Sequence, residues 1–301
     1  MLQVIKKNIL LIISFSILLS LLCFDSYKYI DNRKNIDAKT EEAKIFCLSN
    51  DYINTDYEEY CNKTLNNEHF DIDFFTVYTN IAVFGIGRLS FILFLFIIMP
   101  SLYNICKYMK NRQIINDSTR MNYKNSKFKI FIEAYKSSFI LPSIIFIAFV
   151  ICYCYVGNFN PEYAIENSTS VWSETTLNNP YLFLLTYLLN IIVHSILYIN
   201  IALCIARKYN NYFVAVILSF LTFIGIESIL EIGFNGILFT TILSSDSGII
   251  FNIMNMITFN DSCGILALLS IPTSVMLISF IVLHFMYKEK EILIIDCEKN
   301  E

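Results

Sequence analysis

The chain has 301 residues, of which 55% are hydrophobic and only 16% charged, against about 25% charged in an ordinary soluble domain. With 22 Lys+Arg against 26 Asp+Glu the formal net charge is −4, so no basic excess supports a nucleic-acid partner. Eight Gly and five Pro exclude collagen-like or low-complexity material, and the apolar residues gather into long charge-free runs whose natural solvent is lipid.

A helix needs roughly 20 mainly apolar residues to cross the hydrocarbon core, where a single segment satisfies its own backbone hydrogen bonds only as a helix. Six runs meet or approach that length: Ile9 to Phe24, Phe75 to Met99, Phe139 to Val156, Tyr181 to Ala206, Tyr212 to Leu230 and Ile265 to Tyr287. The first follows Lys6 and Lys7 but lacks an A-x-A-like cleavage site, so it reads as a retained span and not a signal peptide. After it comes an acidic segment, residues 25–73, with 12 acidic and 6 basic residues and weak helical patterning around Ala38 to Leu48. This reads as a small extracytoplasmic cap. Cys47 and Cys61 both fall in it, at a separation that a disulfide can close.

Between spans two and three, residues 101–138 carry eight basic and two acidic residues. The part from Lys127 to Phe139 reads as a helix at the membrane surface, its lysines suited either to anionic lipid or to a soluble partner. Lys and Arg mark the loops retained in the cytoplasm. Lys6, Lys7, this basic loop, Arg207, Lys208, Lys288 and Lys290 all fall on one side of a six-span count, whereas residues 158–180 have three Glu and no Lys or Arg. The reading is an all-α membrane protein with six transmembrane helices and both termini cytoplasmic.

Two charged features lie within the runs. Arg88 stands near the middle of the second, where an unpaired Arg costs about 2.5 kcal/mol or more. Glu227 and Glu231 in the fifth stand at i and i+4 and so share a helix face. Spans two and five run in opposite directions, so Arg88 and Glu227 reach overlapping depths, as a structural ion pair or as the lining of a substrate path. After span five, the short apolar runs Gly236 to Leu243 and Ile249 to Phe259 flank Ser244, Ser245, Asp246 and Ser247. Neither can span alone, and non-spanning backbone at membrane depth must be buried in protein or line a cavity. A re-entrant helical hairpin over residues 232–261 fits them.

Chemistry of its own is hard to find in this chain. None of the eight glycines begins a G-x-x-x-x-G-K-[ST] phosphate loop. His194 and His284 lack the H-E-x-x-H or G-x-S-x-G setting of a hydrolase, and each reads as a satisfied polar residue. Cys152 and Cys154 stand two apart, face different sides of a helix and have no further ligands nearby, so no metal site is expected. The inverted repeats of secondary transporters are not visible in the spans.

Six spans, a basic loop with an interfacial helix between spans two and three, and a broken hairpin between spans five and six resemble the permease subunits of type-2 ATP-binding-cassette transporters. The strings Ala134-Tyr135-Lys136-Ser137-Ser138-Phe139-Ile140-Leu141-Pro142 and Phe251-Asn252-Ile253-Met254-Asn255-Met256-Ile257-Thr258-Phe259 are similar to segments in small members from low-GC bacteria. The resemblance implies a multi-pass protein of the bacterial cytoplasmic membrane that exports or flips an amphipathic peptide, lipid or drug-like substrate. It implies a separate ATPase subunit that binds ATP, no cofactor held by this chain, and assembly as a homodimer or with a second permease chain. The coupling helix that meets the ATPase would lie within Asn111 to Lys136, with Arg120, Lys124, Lys127 and Lys129 at the contact. The alternative is a non-transport membrane protein, such as a bacteriocin-immunity or sensor protein, in which the acidic outer cap would be the working part.

Overall fold

The computed structural model describes residues 8–48, 74–78, 81, 85–111, 113–120, 122–156, 180–242, 252–257 and 265–289. Among these residues there is no strand, and six helices are long and apolar enough to cross a membrane: Ile9–Asn32, Ser90–Lys110, Tyr123–Val156, Tyr181–Ala206, Tyr212–Leu238 and Leu268–Met286. The protein is thus all-α with six candidate spans, as its hydropathy predicts. The termini expected on the cytoplasmic side lie outside the described residues, at 1–7 and 290–301.

The first span belongs to α1, Ile9–Leu48, a single helix of 40 residues. At 1.5 Å per residue it is about 60 Å long, roughly twice the hydrocarbon thickness. The helical pattern at Ala38 to Leu48 is therefore the continuation of the first span, not a separate cap element. The remainder of the expected cap, residues 49–73, lies outside the described residues.

The second span differs from the run of apolar residues that predicted it. Short helices α2 (Phe74–Tyr78) and α3 (Gly85–Arg88) precede α4 (Ser90–Lys110), which is the spanning helix. A count of apolar residues places the span at Phe75 to Met99, because glycine does not lower it, yet Gly85 and Gly87 weaken a helix at little gain in packing. Sliding the span toward Lys110 moves Arg88 from bilayer depth to its edge and leaves Lys107 and Lys110 at the opposite edge.

Beyond α4 come α5 (Gln113–Arg120) and α6 (Tyr123–Tyr135), the latter opened by the Asn122 side chain, which accepts the Lys124 amide at 3.2 Å. The surface helix therefore begins at Tyr123, a full turn ahead of Lys127. A 3₁₀ turn, Lys136–Phe139, joins it to α7 (Ile140–Val156). Pro142 sits in the first turn of α7, where its missing N–H breaks no intrahelical bond.

The fourth span is α8, Pro180–Ala206, and it is the axis of the bundle. It packs along α4, α9 (Tyr212–Ser228) and α11 (Ile265–Met286), and 61% of its most apolar stretch is buried against 17% for α11. Phe94 of α4 stacks on Phe223 of α9 at 4.5 Å, and Tyr198 of α8 meets both rings edge-on at 5.1 and 5.2 Å. Leu277, Ile278, Ile281, Val282 and Phe285 of α11 face outward, an arrangement that water would punish and lipid does not.

Span five does not stop at Glu231 to Gly233. It runs on through Ile229–Ile242 with wider, i→i+5 winding, a rare geometry. Of the run Gly236 to Leu243, expected as the first limb of a hairpin, the described part as far as Ile242 is therefore an extension of span five. From the expected second limb, residues 252–257 are described, and they contain the four-residue helix α10, Ile253–Met256.

Candidate functional site

One cluster of buried polar groups surrounds α10. Asn190, His194 and Tyr198 recur at i, i+4 and i+8 on α8 and are fully buried, while Ser219, Phe223 and Glu227 do the same on α9, with Glu227 at 7% exposure. Glu227 is the penultimate residue of α9, which begins at Tyr212, and His194 stands near the middle of α8, which ends at Ala206. The two lie about 22 and 18 Å along their helices from those Arg207-side ends, which puts the cluster in the half of the bilayer remote from Arg207.

A helix as short as α10 makes almost none of its own backbone bonds, so at this depth its polar ends need partners. Glu227 supplies two: its carboxylate accepts the amides of Ile253 at 3.0 Å and Met254 at 2.9 Å. Both bonds come from the donors that begin the helix. At the other end, the Asn190 amide donates to the Met256 carbonyl at 2.8 Å. The His194 ring lies with Nε2 3.0 Å from the Ile253 carbonyl and Nδ1 2.8 Å from the Asn190 carbonyl; a neutral imidazole donates to one of the two. Asn252 donates to Glu231 at 3.2 Å. Both carboxylates of span five thus address the start of one segment, as their shared helix face predicts. The Asn190 Oδ1, Tyr198 hydroxyl and Ser219 hydroxyl oxygens are buried without a hydrogen-bond partner among the described residues, sites suited to ordered water.

The predicted pairing of Arg88 with Glu227 is not formed. Arg88 ends α3, outside the spanning helix, with its side chain 65% exposed, and its guanidinium lies 3.4 Å from the Asp25 carboxylate of α1. This is an exposed contact between span one and the start of span two, and Arg88 forms no part of the buried cluster. The Glu227 carboxyl is met by backbone N–H groups instead of by a cation.

At the opposite end of the bundle the basic loop forms a braced platform. The Lys129 ammonium is 2.7 Å from Asp117 of α5, and Tyr108 of α4 donates its hydroxyl to the same carboxylate. Lys129 first, and Tyr108 after it, hold the Asp117 carboxyl below the usual carboxylate range. Ser101 donates to the Ala134 carbonyl at 2.8 Å, Tyr123 to the Tyr287 carbonyl at 2.9 Å, and Tyr135 to the Asn200 side chain. Tyr287 in turn donates to the Leu203 carbonyl at 3.0 Å, and Arg207 to the Met286 carbonyl at 3.1 Å. The platform is therefore tied to spans two, four and six. Of the four cations expected to meet a partner, Lys129 is taken up internally by Asp117, while Arg120 and Lys124 are exposed and Lys127 lies over the Phe131 ring at 5.8 Å.

Cys47 is buried and disulfide-bonded, but Cys61, its expected partner, lies outside the described residues. Cys152 is buried and Cys154 exposed, on different sides of α7 as their spacing requires. Among the described residues no three or more His, Cys, Asp or Glu side chains gather as metal ligands.

Sequence reasoning left Asn190 unremarked. The signal was available in the i, i+4, i+8 recurrence of polar groups within an apolar helix. No family model, curated protein or solved structure matches the chain.

Proposed function

We propose that this chain is the membrane-spanning permease subunit of an ATP-driven exporter or flippase. It would move an amphipathic substrate across a bacterial cytoplasmic membrane, with ATP bound and hydrolysed by a separate subunit docked on α5 and α6. The observation that carries this reading is the bracing of that platform: hydrogen bonds from α4 and α6 reach α5, α8 and the end of α11. A displacement applied to α5 and α6 from the cytosol would be passed to spans two, four and six together. Six spans serve as half of a pathway, completed by a second copy or a related chain. α10 would hang on the outer half of that pathway from Glu227, His194 and Asn190, a non-spanning segment of the kind that membrane depth tolerates only inside protein.

The test is recovery of a partner from mild detergent. The full chain should bring down a subunit with a phosphate loop, and Gln at Arg120, Lys124 and Lys127 together should abolish recovery while leaving the fold intact by circular dichroism. Absence of any such subunit, together with unchanged function after deletion of residues 120–129, would sink the proposal.

One observation favours a second reading, a sensor or immunity protein. Cys47 is buried and bridged near the end of a helix about 60 Å long, so structure is built well outside the bilayer. In that case Cys47→Ser would abolish function and an ATPase would be dispensable.

A further inference from the structure

A cleft of about 710 Å³ opens between the Lys110 end of α4 and the turn that leads into α9. Its wall contains Lys107, Lys110, Asn111, Asn210 and Asn211 and, among the described residues, no carboxylate. The two ammonium groups are exposed and neither has a carboxylate partner among those residues, in contrast to Lys129 and Lys136, which pair with Asp117 and Glu133 at 2.7 and 2.8 Å. Aromatic packing fixes the wall: the Lys107 ammonium lies 5.7 Å from the centre of the Tyr103 ring, and Tyr103 meets Tyr212 edge-on at 5.8 Å. The side-chain oxygen of Asn211 accepts the amides of Phe213 and Val214 at 3.1 and 3.4 Å, which leaves its N–H₂ as the group it can offer. The cleft therefore presents two cations and several amide donors, the chemistry of a phosphate site.

Its rim adds a second feature. Phe213 lines the cleft and is 74% exposed, and Ile217 and Leu221 follow it at i+4 and i+8 along α9, at 59% and 55%. An outward apolar stripe thus leads from the cations along the membrane-facing side of span five. A soluble anion has no use for such a stripe, whereas acyl chains lie along it.

We propose that this cleft binds the phosphate headgroup of an anionic phospholipid, with the acyl chains laid on Phe213, Ile217 and Leu221. The proposal is independent of any ATPase partner and needs only that this end of the bundle meet the membrane surface. A headgroup held here would join span two to the start of span five, the helix that carries Glu227.

The full chain in mild detergent is offered equimolar phosphatidylglycerol and phosphatidylcholine of the same acyl chains, and bound lipid is counted by native mass spectrometry. Phosphatidylglycerol should prevail. In the Lys107→Gln, Lys110→Gln variant its advantage should fall about 30-fold, about fivefold for each ammonium lost at the membrane surface. Both side chains are exposed, so the fold should survive, and an unchanged elution profile and circular dichroism would show it. Lys28→Gln, at the opposite end of the bundle, should keep the advantage. Equal retention of the two lipids by the native chain, or an undiminished preference in the double variant, would overturn the proposal. Displacement of phosphatidylglycerol by equimolar inorganic phosphate would overturn it too, because the apolar stripe would then contribute nothing.

Discussion

Replacing Glu227 removes the acceptor that holds the start of α10. Its carboxylate takes the Ile253 and Met254 amides at 3.0 and 2.9 Å inside the bundle. Leaving a buried donor unsatisfied costs about 1–3 kcal/mol, so Glu227→Ala, which strands two, forfeits roughly 2–6 kcal/mol of attachment. Part of this is offset because burying the carboxylate is itself unfavourable. The free energy that keeps residues 252–257 seated should fall by about 2–4 kcal/mol, which corresponds to amide exchange at Ile253 and Met254 roughly 30- to 900-fold faster. Glu227→Gln keeps one carbonyl acceptor and sets an N–H₂ against a backbone donor, so it should lose one of the two bonds. Its effect should be about 1–2 kcal/mol, or roughly 5- to 30-fold. Hydrogen exchange followed by mass spectrometry of detergent-solubilised protein reads this directly. Exchange in Glu227→Ala within about threefold of the native protein, well under the range expected for loss of the anchor, would refute the idea that this carboxylate holds α10, as would a Gln variant looser than the Ala variant.

The Asp117–Lys129 contact should loosen with acid. Asp117 titrates below the ordinary range when folded, so its contribution is present above the unfolded aspartate value of about 4 and is lost as pH falls through the lowered folded value. In Asp117→Asn, exchange across Gln113–Arg120 should already be raised at neutral pH and should no longer respond to that acid step. A pH response identical to the native protein's would count against the pairing. Tyr287→Phe deletes a buried hydroxyl that donates to the Leu203 carbonyl at 3.0 Å. The loss should be about 1 kcal/mol, a fall of roughly 2 °C in melting temperature, whereas Tyr27→Phe, on a residue 67% exposed, should change nothing measurable.

The number of helices long and apolar enough to cross a membrane, and most of their limits, can be read from the sequence, because a helix in lipid must satisfy its backbone locally and so leaves a long apolar run. The limits that fail are those set by groups far apart in the chain. Arg88 finds Asp25 on another helix, and Glu227 finds Ile253 on a segment beyond the end of span five; hydropathy has no term for either. The apolar run from Phe75 holds no strong breaker other than glycine, so only the demand of Arg88 for water shows where span two begins. The extension of span five to Ile242 escapes for a different reason. Gly233 and Gly236 suggest an end, but an added Cβ would meet nothing within 4 Å at Gly236 and the Ile229 side chain at an ordinary 4.0 Å at Gly233, so neither glycine is required by close packing. The buried cluster is half legible: the shared face of Glu227 and Glu231 follows from their spacing, whereas what they hold depends on a later segment folding back against them.

A docked ATPase requires the platform of α5 and α6 to lie on the cytoplasmic side of the membrane. A single cysteine in place of Lys124, an exposed position on α6, can be probed in intact cells with a thiol reagent that does not cross the bilayer, using the parent chain to set the background from its native cysteines. Labelling is expected only after the cells are permeabilised. Labelling of intact cells would place the platform outside, where no ATP-hydrolysing partner could reach it.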